Sequence, residues 1–160
     1  LLLTSAIFGV NLDSSYIGEI RGGSSDKEIY TILNDPQYGA RITRTYWSAY
    51  ARTDLVSMEN YPDVKYIFND GGAGMQMFRF DGKNFDNLMF LRRSSTAFPF
   101  YFGDADNVLI IGAGGGKDVL IALMGGAKNI TAVEINPDIM RIVREEFEFN
   151  GGIYYHENIR

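Results

Sequence analysis

The run Asn107-Val-Leu-Ile-Ile-Gly-Ala-Gly-Gly-Gly-Lys-Asp-Val-Leu-Ile-Ala-Leu123 constrains the fold more than any other stretch of the chain. Residues 108–111 form a short apolar run of the kind that makes a buried parallel strand. Four glycines follow within residues 112–116. An amphipathic helix is expected from Lys117, with Val119, Leu120 and Leu123 on its apolar side. Glycine at such a turn lets backbone approach a ligand and lets helix pack closely on strand. The helix start also presents unpaired N–H groups.

A second apolar run, residues 129–133, ends in Glu134, 18 residues after Gly116. An acidic side chain at the end of a second parallel strand can accept both hydroxyls of a ribose. A glycine turn with an acidic strand end marks a nucleoside-binding βαβ unit. Three patterns compete for it. The phosphate-loop pattern GxxxxGK followed by Ser or Thr fails at Ile111 and at Asp118. The dinucleotide pattern GxGxxG fails because Lys117 occupies the third glycine position. The spacing Gly112-x-Gly114-x-Gly116 is that of S-adenosylmethionine sites. Such a ligand has no pyrophosphate, so the helix need not bind an anion, and Asp118 in the first turn would repel one. Asn136 can cap a helix that starts with Pro137. The remaining reading is a Rossmann-like unit without a ligand.

The chain has 160 residues, enough for a buried core, and a net charge of −5, which argues against non-specific nucleic-acid binding. No basic stripe with interleaved aromatics is present, so no nucleic-acid partner is expected. With no cysteine and one histidine, disulfides, thiolate chemistry and a His-rich metal site are excluded, and no metal is expected. The chain opens on Leu1-Leu-Leu-Thr-Ser-Ala-Ile-Phe-Gly-Val10. This stretch is too short to span a bilayer by itself. It could end a transmembrane helix over residues 1–12, be a trimmed signal region, or be a first buried strand.

Arg21-Gly-Gly-Ser-Ser-Asp26 is a polar loop. Residues 27–34 read as a short helix or strand, and Asp35-Pro36 as a turn. Residues 41–58 read as one extended stretch, in which Thr43, Thr45, Tyr46, Trp47, Tyr50, Leu55 and Val56 favour strand. Asn60-Tyr-Pro-Asp63 is a turn, 64–68 a strand, Asn69-Asp-Gly-Gly72 a hairpin, and 75–80 its returning partner. Asp81-Gly82 turns the chain into an expected helix over 85–98, with Leu88, Leu91, Ser95 and Phe98 on one face. A second helix is expected over 137–149, with Ile139, Ile142, Val143 and Phe147 inward and Asn150-Gly-Gly152 as its stop. Residues 153–160 lead into a third strand.

The fold expected is therefore α/β. Residues 1–104 form a small β-rich N-terminal cap with a connecting helix, and residues 105–160 the first part of a Rossmann-like S-adenosylmethionine-type domain. Two parallel strands and two helices cannot cover both faces of a sheet. The expectation is a truncated domain, or a sheet completed by another segment.

The runs Val108-Leu-Ile-Ile-Gly-Ala-Gly-Gly-Gly-Lys-Asp-Val-Leu120, Thr131-Ala-Val-Glu-Ile-Asn-Pro-Asp138 and Phe149-Asn-Gly-Gly-Ile153 resemble the spermidine synthase-like proteins. In the cap, Trp47-Ser-Ala-Tyr-Ala-Arg-Thr-Asp54, Asn69-Asp-Gly-Gly-Ala73 and Arg79-Phe-Asp-Gly82 do so too. The likeness covers roughly residues 45–160 and is closest to the bacterial branch whose soluble domain follows transmembrane helices. It implies a small β-strand cap before a Rossmann-like domain. It also implies a transferase that binds decarboxylated S-adenosylmethionine and passes an aminopropyl group to an amine acceptor, in polyamine biosynthesis. Cofactor-binding roles would fall on Gly112, Gly114, Gly116 and Glu134, with Asp54 and Asp70 from the cap. A homo-oligomer through the cap, a membrane tether in the full-length chain, and a cytoplasmic place, at the inner face of the membrane in the tethered case, complete the expectation.

The chain departs from that pattern in four places. Gly115 stands where true synthases carry an Asp that helps hold the cofactor's amine. Leu91-Arg-Arg-Ser-Ser-Thr-Ala-Phe-Pro99 lacks their Tyr-x-Glu segment and His. Thr53 replaces the usual Gln. The carboxylates that handle the diamine lie beyond Arg160. Methyl transfer from intact S-adenosylmethionine, or a non-catalytic domain that keeps the fold, are the alternatives. Catalytic residues are not assigned: Asp54, Asp70 and Asp118 could take a proton from an amine nucleophile, and each also suits a turn or cap. Turnover is expected of the full-length protein and not of these 160 residues. Arg92 and Arg93 read as a solvated helix face or as partners of an acidic group, Trp47 and Tyr50 as core or pocket wall, and His156 as exposed.

Overall fold

A computed structural model describes residues 27–103 and 105–160. The expectations for the apolar start and for the loop at 21–26 lie outside the described residues. The cap begins with helix α1 (Glu28–Asn34), which buries Ile29 and Ile32. Four antiparallel strands follow in sequential order: β1 (Ala40–Trp47), β2 (Arg52–Met58), β3 (Val64–Asn69) and β4 (Gly72–Phe78). The β3–β4 hairpin turns through Asp70 and Gly71, both in the left-handed region (φ 49° and 76°). This is the backbone of a type I′ turn, and Asn69-Asp-Gly-Gly72 is its sequence signature.

The expected single extended stretch over 41–58 is instead two strands. The chain reverses at Ser48-Ala-Tyr-Ala51, where the Ser48 amide donates to the Ala51 carbonyl (3.2 Å) and the Tyr50 amide to Ser48 Oγ (3.3 Å). No Gly or Pro marks this turn.

The expected helix over 85–98 is corrected to two 3-10 stretches, Asp86–Arg93 and Ser95–Tyr101, separated by the extended Ser94. With three residues per turn, Leu88, Leu91 and Ala97 fall on one inward line, while Phe98 is 63% exposed.

The second unit is a βαβα segment. Strand β5 (Asn107–Ile111) pairs in parallel with β6 (Asn129–Val133), and α2 (Lys117–Met124) connects them. Helix α3 (Pro137–Glu145) starts as its sequence indicates, with Asn136 Oδ1 accepting the Asp138 amide at 2.9 Å. It stops at Glu145, before the short helix α4 (Phe147–Asn150). That break turns Phe147 outward and gives its expected inward place to Phe149. Gly151, at φ 65°, then ends the helix. Where a third strand is expected, the described residues form one parallel bridge, Ile130↔Ile159.

Strand β5 is not buried on both sides as expected. Ile110 is inward, but Leu109 and Ile111 are 63% and 81% exposed. Among the described residues, helices cover one face of this sheet.

The cap sheet is covered on both faces. Val56, Met58 and Phe68 pack on α1. Leu55, Ile67 and Met77 face the other way and share one core with Val119, Leu120, Ile139 and Ile142. Alternation along the strands thus welds the cap to the parallel unit. Around that core, Lys65 Nζ meets Glu146 Oε2 at 2.5 Å, and Tyr46 OH donates to Glu145 Oε2 at 2.7 Å.

Candidate functional site

The glycine turn takes its shape from backbone needs. Gly112, Gly114 and Gly116 have φ of 75°, 51° and 89°, a region that L side chains rarely adopt. The Gly112 and Ala113 amides donate to the Val133 carbonyl at 2.8 and 3.1 Å, pinning the turn to the end of β6. A Cβ added at Gly112 would meet open space. At Gly114 it would approach Met75 Sδ at 3.0 Å, and at Gly115 it would lie 2.3 Å from the Gln76 carbonyl oxygen. The loop is therefore open at 112 and closed at 115 by strand β4. Between them lies a cavity of about 160 Å³, lined by Gly74 to Gln76 and by loop residues through Asp118.

Glu134 points into this loop. Its Oε2 accepts the Gly114 amide at 3.0 Å and its Oε1 the Asn136 amide at 2.9 Å. Each oxygen keeps a further lone pair for a ligand hydroxyl. Asn136, 2% exposed, is the hinge pin behind it. Its Nδ2 donates to Thr53 Oγ1 (2.9 Å) and Asn69 Oδ1 (3.0 Å), two strands of the cap. From the other side the Tyr154 hydroxyl donates to the Gly114 carbonyl at 3.0 Å. Burial pushes that phenol's pKa up, and the charges of Glu134 and Asp118 push it further the same way. Tyr154 is thereby held as a proton donor.

Gly112, Gly114, Gly116 and Glu134 come together as one loop. Asp54 and Asp70 form a separate pair in the cap, joined through Arg52. Asp54 is 1% exposed, and its Oδ1 accepts from Thr45 Oγ1 (2.6 Å) and Arg52 Nε (3.0 Å). Burial raises its pKa, while Thr45 and Arg52 oppose the rise. Asp70 is exposed and accepts the Arg52 amide at 3.0 Å. No hydrogen bond or ion pair among the described residues links this pair to the glycine loop. Asp118 lines the cavity, and its Oδ1 is shut from solvent with no hydrogen-bond partner.

Trp47 and Tyr50 are more than half exposed, with the Arg52 guanidinium 5.7 Å from the Trp47 ring centre. Arg92 and Arg93 are exposed. Arg92 lies over the Tyr101 ring, 5.7 Å from its centre. His156 is half-buried, its Nδ1 accepting the Asn158 amide at 3.2 Å. Sequence reasoning missed Tyr154, which sits in a polar tail with no motif around it. It also missed that Thr53 and Asn69 would meet Asn136.

A larger cavity, about 480 Å³, lies between the base of the β3–β4 hairpin and the first 3-10 stretch, with Tyr61, Phe78, Phe80 and Phe90 in its wall. Its two carboxylates are engaged, Asp63 by Arg79 and Asp81 by the Lys83 and Asn84 amides. The glycine crevice is smaller, and it adjoins the turn whose Gly114 amide Glu134 holds. Among the described residues no group of three or more His, Cys, Asp or Glu side chains could hold a metal.

No protein-family description and no curated protein matches the chain. Solved structures do. The spermidine synthase of Thermotoga maritima matches with a TM-score of 0.54 at 16% identity, over 75% of this chain and 39% of that one. A spermidine synthase in complex with the transition-state analogue AdoDATO matches with a TM-score of 0.53, at 16% identity, over 75% and 39%. A probable spermidine synthase from Corynebacterium glutamicum matches with a TM-score of 0.52, at 20% identity, over 75% and 44%. The chain thus has the spermidine synthase-like fold and spans about two fifths of the length of these structures.

Proposed function

We propose that this chain is the cap and nucleoside-binding part of a spermidine synthase-like transferase. The observation that carries the reading is the Glu134 carboxylate bonded to Gly114 beside the open crevice at Gly112. Gly112, Gly114 and Gly116 would lie along the nucleoside of S-adenosylmethionine or its decarboxylated form, and Glu134 would accept the ribose hydroxyls. Asp70, exposed at the β3–β4 turn, is the cap carboxylate proposed to reach the ligand, with Asp54 supporting it through Arg52.

When bound, the sulfonium supplies an alkyl group to an amine and leaves as a neutral thioether, so no strong acid is required of the protein. The chain's share is alignment and exclusion of water, served by β4 lying across the loop and by Asn136 tying cap to crevice. Aminopropyl transfer is the first reading, in keeping with the shared fold. Methyl transfer is the second, favoured by position 115, where β4 leaves no room for an acidic side chain. A place at the inner face of a membrane rests on the sequence resemblance. Among the described residues no helix is long and apolar enough to cross a bilayer. A homo-oligomer through the cap rests on the same resemblance.

Calorimetric titration of the whole protein with both co-substrates tests the proposal. At least tenfold tighter binding of the decarboxylated form supports aminopropyl transfer, and preference for the intact form supports methyl transfer. Binding of neither by folded protein overturns the nucleoside reading and leaves a non-catalytic domain.

A further inference from the structure

The larger cavity plays no part in the proposed nucleoside site. It shares no lining residue with the glycine crevice, which meets β4 at Gly74 to Gln76, whereas the larger cavity meets the chain from Phe78 onward. Its volume of about 480 Å³ suits a small molecule.

The wall is aromatic. Phe78 and Phe80 are buried, while Tyr61 and Phe90 are about half exposed, and Phe90 meets Phe78 edge to face with ring centres 5.5 Å apart. The face of an aromatic ring carries partial negative charge and attracts a cation. Elsewhere the chain fills such places with its own cations: Arg52 over Trp47, Arg92 over Tyr101 and Arg141 over Tyr46. Among the described residues no arginine or lysine lies over the four rings of this cavity.

The charges point the same way. Asp63, Asp81 and Arg79 line the cavity, two anions against one cation. Arg79 is already engaged. Its Nε donates to Asp63 Oδ1 at 2.7 Å, a terminal nitrogen donates to the Pro62 carbonyl at 3.0 Å, and the guanidinium lies over the Phe149 ring. Each carboxylate uses one oxygen only. Asp81 Oδ1 accepts the Asn84 and Lys83 amides at 2.7 and 2.8 Å, and Oδ2 of both Asp63 and Asp81 receives no hydrogen bond from the described residues. The same two amides hold the Asp81 pKa below the ordinary carboxylate value, which keeps it charged at neutral pH. An anionic ligand would find no free cation here, and a metal ion would find too few ligands.

We infer that this cavity is a second ligand site, for an organic cation: an ammonium or guanidinium on an apolar body. The body packs on Phe78 and Phe80, and the charged head lies against the Phe90 and Tyr61 rings, facing Asp81 and Asp63. Nothing in this site depends on the nucleoside crevice.

Phenethylammonium and phenethyl alcohol are the probes, alike in ring and chain and different in charge. Each is titrated into the isotope-labelled whole protein, with backbone amide shifts as the readout. The ammonium is expected to bind about fivefold tighter than the alcohol or better, with the shifts concentrated at residues 60–64 and 78–90. Asp81→Asn keeps an oxygen for the two turn amides and loses the charge. Phe90→Leu keeps apolar bulk and loses the ring. Each is expected to cut the preference for the ammonium about twofold or more and to leave the alcohol nearly unchanged, which also shows that the cavity is intact. Equal affinity for the two probes in wild type, shifts away from this cavity, or no binding of either overturns the site, and this comparison stands even where a variant fails to fold. A preference that survives both substitutions overturns the placement of the charged head at Asp81 and Phe90.

Discussion

The Glu134 carboxylate holds the backbone amide of Gly114 at 3.0 Å, across twenty positions of chain. The same side chain holds the Asn136 amide, so one residue sets the shape of the glycine turn and the start of α3 together. Replacing it with Ala removes an acceptor from two backbone donors. We expect Glu134→Ala to lower stability by about 2 kcal/mol and to abolish measurable nucleoside binding. Glu134→Gln keeps one acceptor and should fall between, as read by urea unfolding and by calorimetry.

Two glycines in the same turn should separate stability from binding. A methyl group at 115 strikes backbone of β4, which cannot step aside without moving the cap. Gly115→Ala is expected to cost about 2 kcal/mol or more. A methyl at 112 enters open space, so Gly112→Ala pays conformational strain for its left-handed φ, about 1–2 kcal/mol. Its larger effect should be on the ligand, whose path it narrows. If Gly112→Ala binds nucleoside as wild type does, the crevice is not the path.

How much of this was written locally explains what the sequence showed and what it concealed. The glycine turn, the Asp70-Gly71 hairpin and the Asn136-Pro137 helix start are each set by a residue's own φ or by a side chain bonding its own backbone two positions on. Such features travel with the sequence. The reversal at Ser48-Ala-Tyr-Ala51 carries no Gly or Pro, and β-forming residues flank it on both sides, so it read as one strand. The 3-10 stretches differ from an α-helix by a fraction of a residue per turn, too little for the spacing of Leu88 and Leu91 to decide. The exposure of Leu109 and Ile111 depends on what lies over the sheet, which no local pattern records. Tyr154 and Thr53 reach their partners across 40 and 83 positions. Their roles arise only when the cap closes on the loop.

That closure passes through Asn136, and its removal should be felt in both halves. Asn136→Ala takes a helix cap from α3 and removes the donor shared by the buried Thr53 and the partly buried Asn69, leaving them the 3.3 Å bond from Thr53 Oγ1 to Asn69 Oδ1. Loss of the cap costs about 1 kcal/mol, and loss of the Asn136 bonds to Thr53 and Asn69 about 1 kcal/mol more. Hydrogen exchange should speed at β2 and at the first turn of α3 together. Faster exchange confined to α3 would show that the network does not couple them.

The buried pair in the cap makes a prediction of a different kind. Arg52 and Asp54 are 8% and 1% exposed, and removing one partner strands the other's charge. Asp54→Ala is expected to destabilise by about 3–5 kcal/mol. Asp54→Asn, which keeps an acceptor for Thr45, should cost less. Because burial raises the Asp54 pKa above its unfolded value, the proton is held more tightly in the folded state. This group therefore favours folding most in acid, and that contribution is lost as pH rises through the folded-state pKa. Chemical denaturation of wild type and Asp54→Asn across pH 3 to 7, about the ordinary Asp range, should show the difference between them changing in that direction.

Tyr154 gives the opposite end of the pH scale. Its pKa is raised from the ordinary 10.0, first by burial and then by the carboxylates of Glu134 and Asp118. Above pH 10 the unfolded chain releases the phenolic proton while the folded chain keeps it. The unfolded state then binds fewer protons, and stability falls with rising pH by about 1.4 kcal/mol per unit from this group. Below pH 10 both states are protonated and the group adds no slope. Tyr154→Phe removes the titrating group together with one hydrogen bond to Gly114, worth about 1 kcal/mol. The variant should therefore be the less stable protein at pH 8 and should lose less stability than wild type between pH 10 and 11. Parallel pH profiles for the two proteins would mean that Tyr154 is open to solvent and does not clamp the glycine turn.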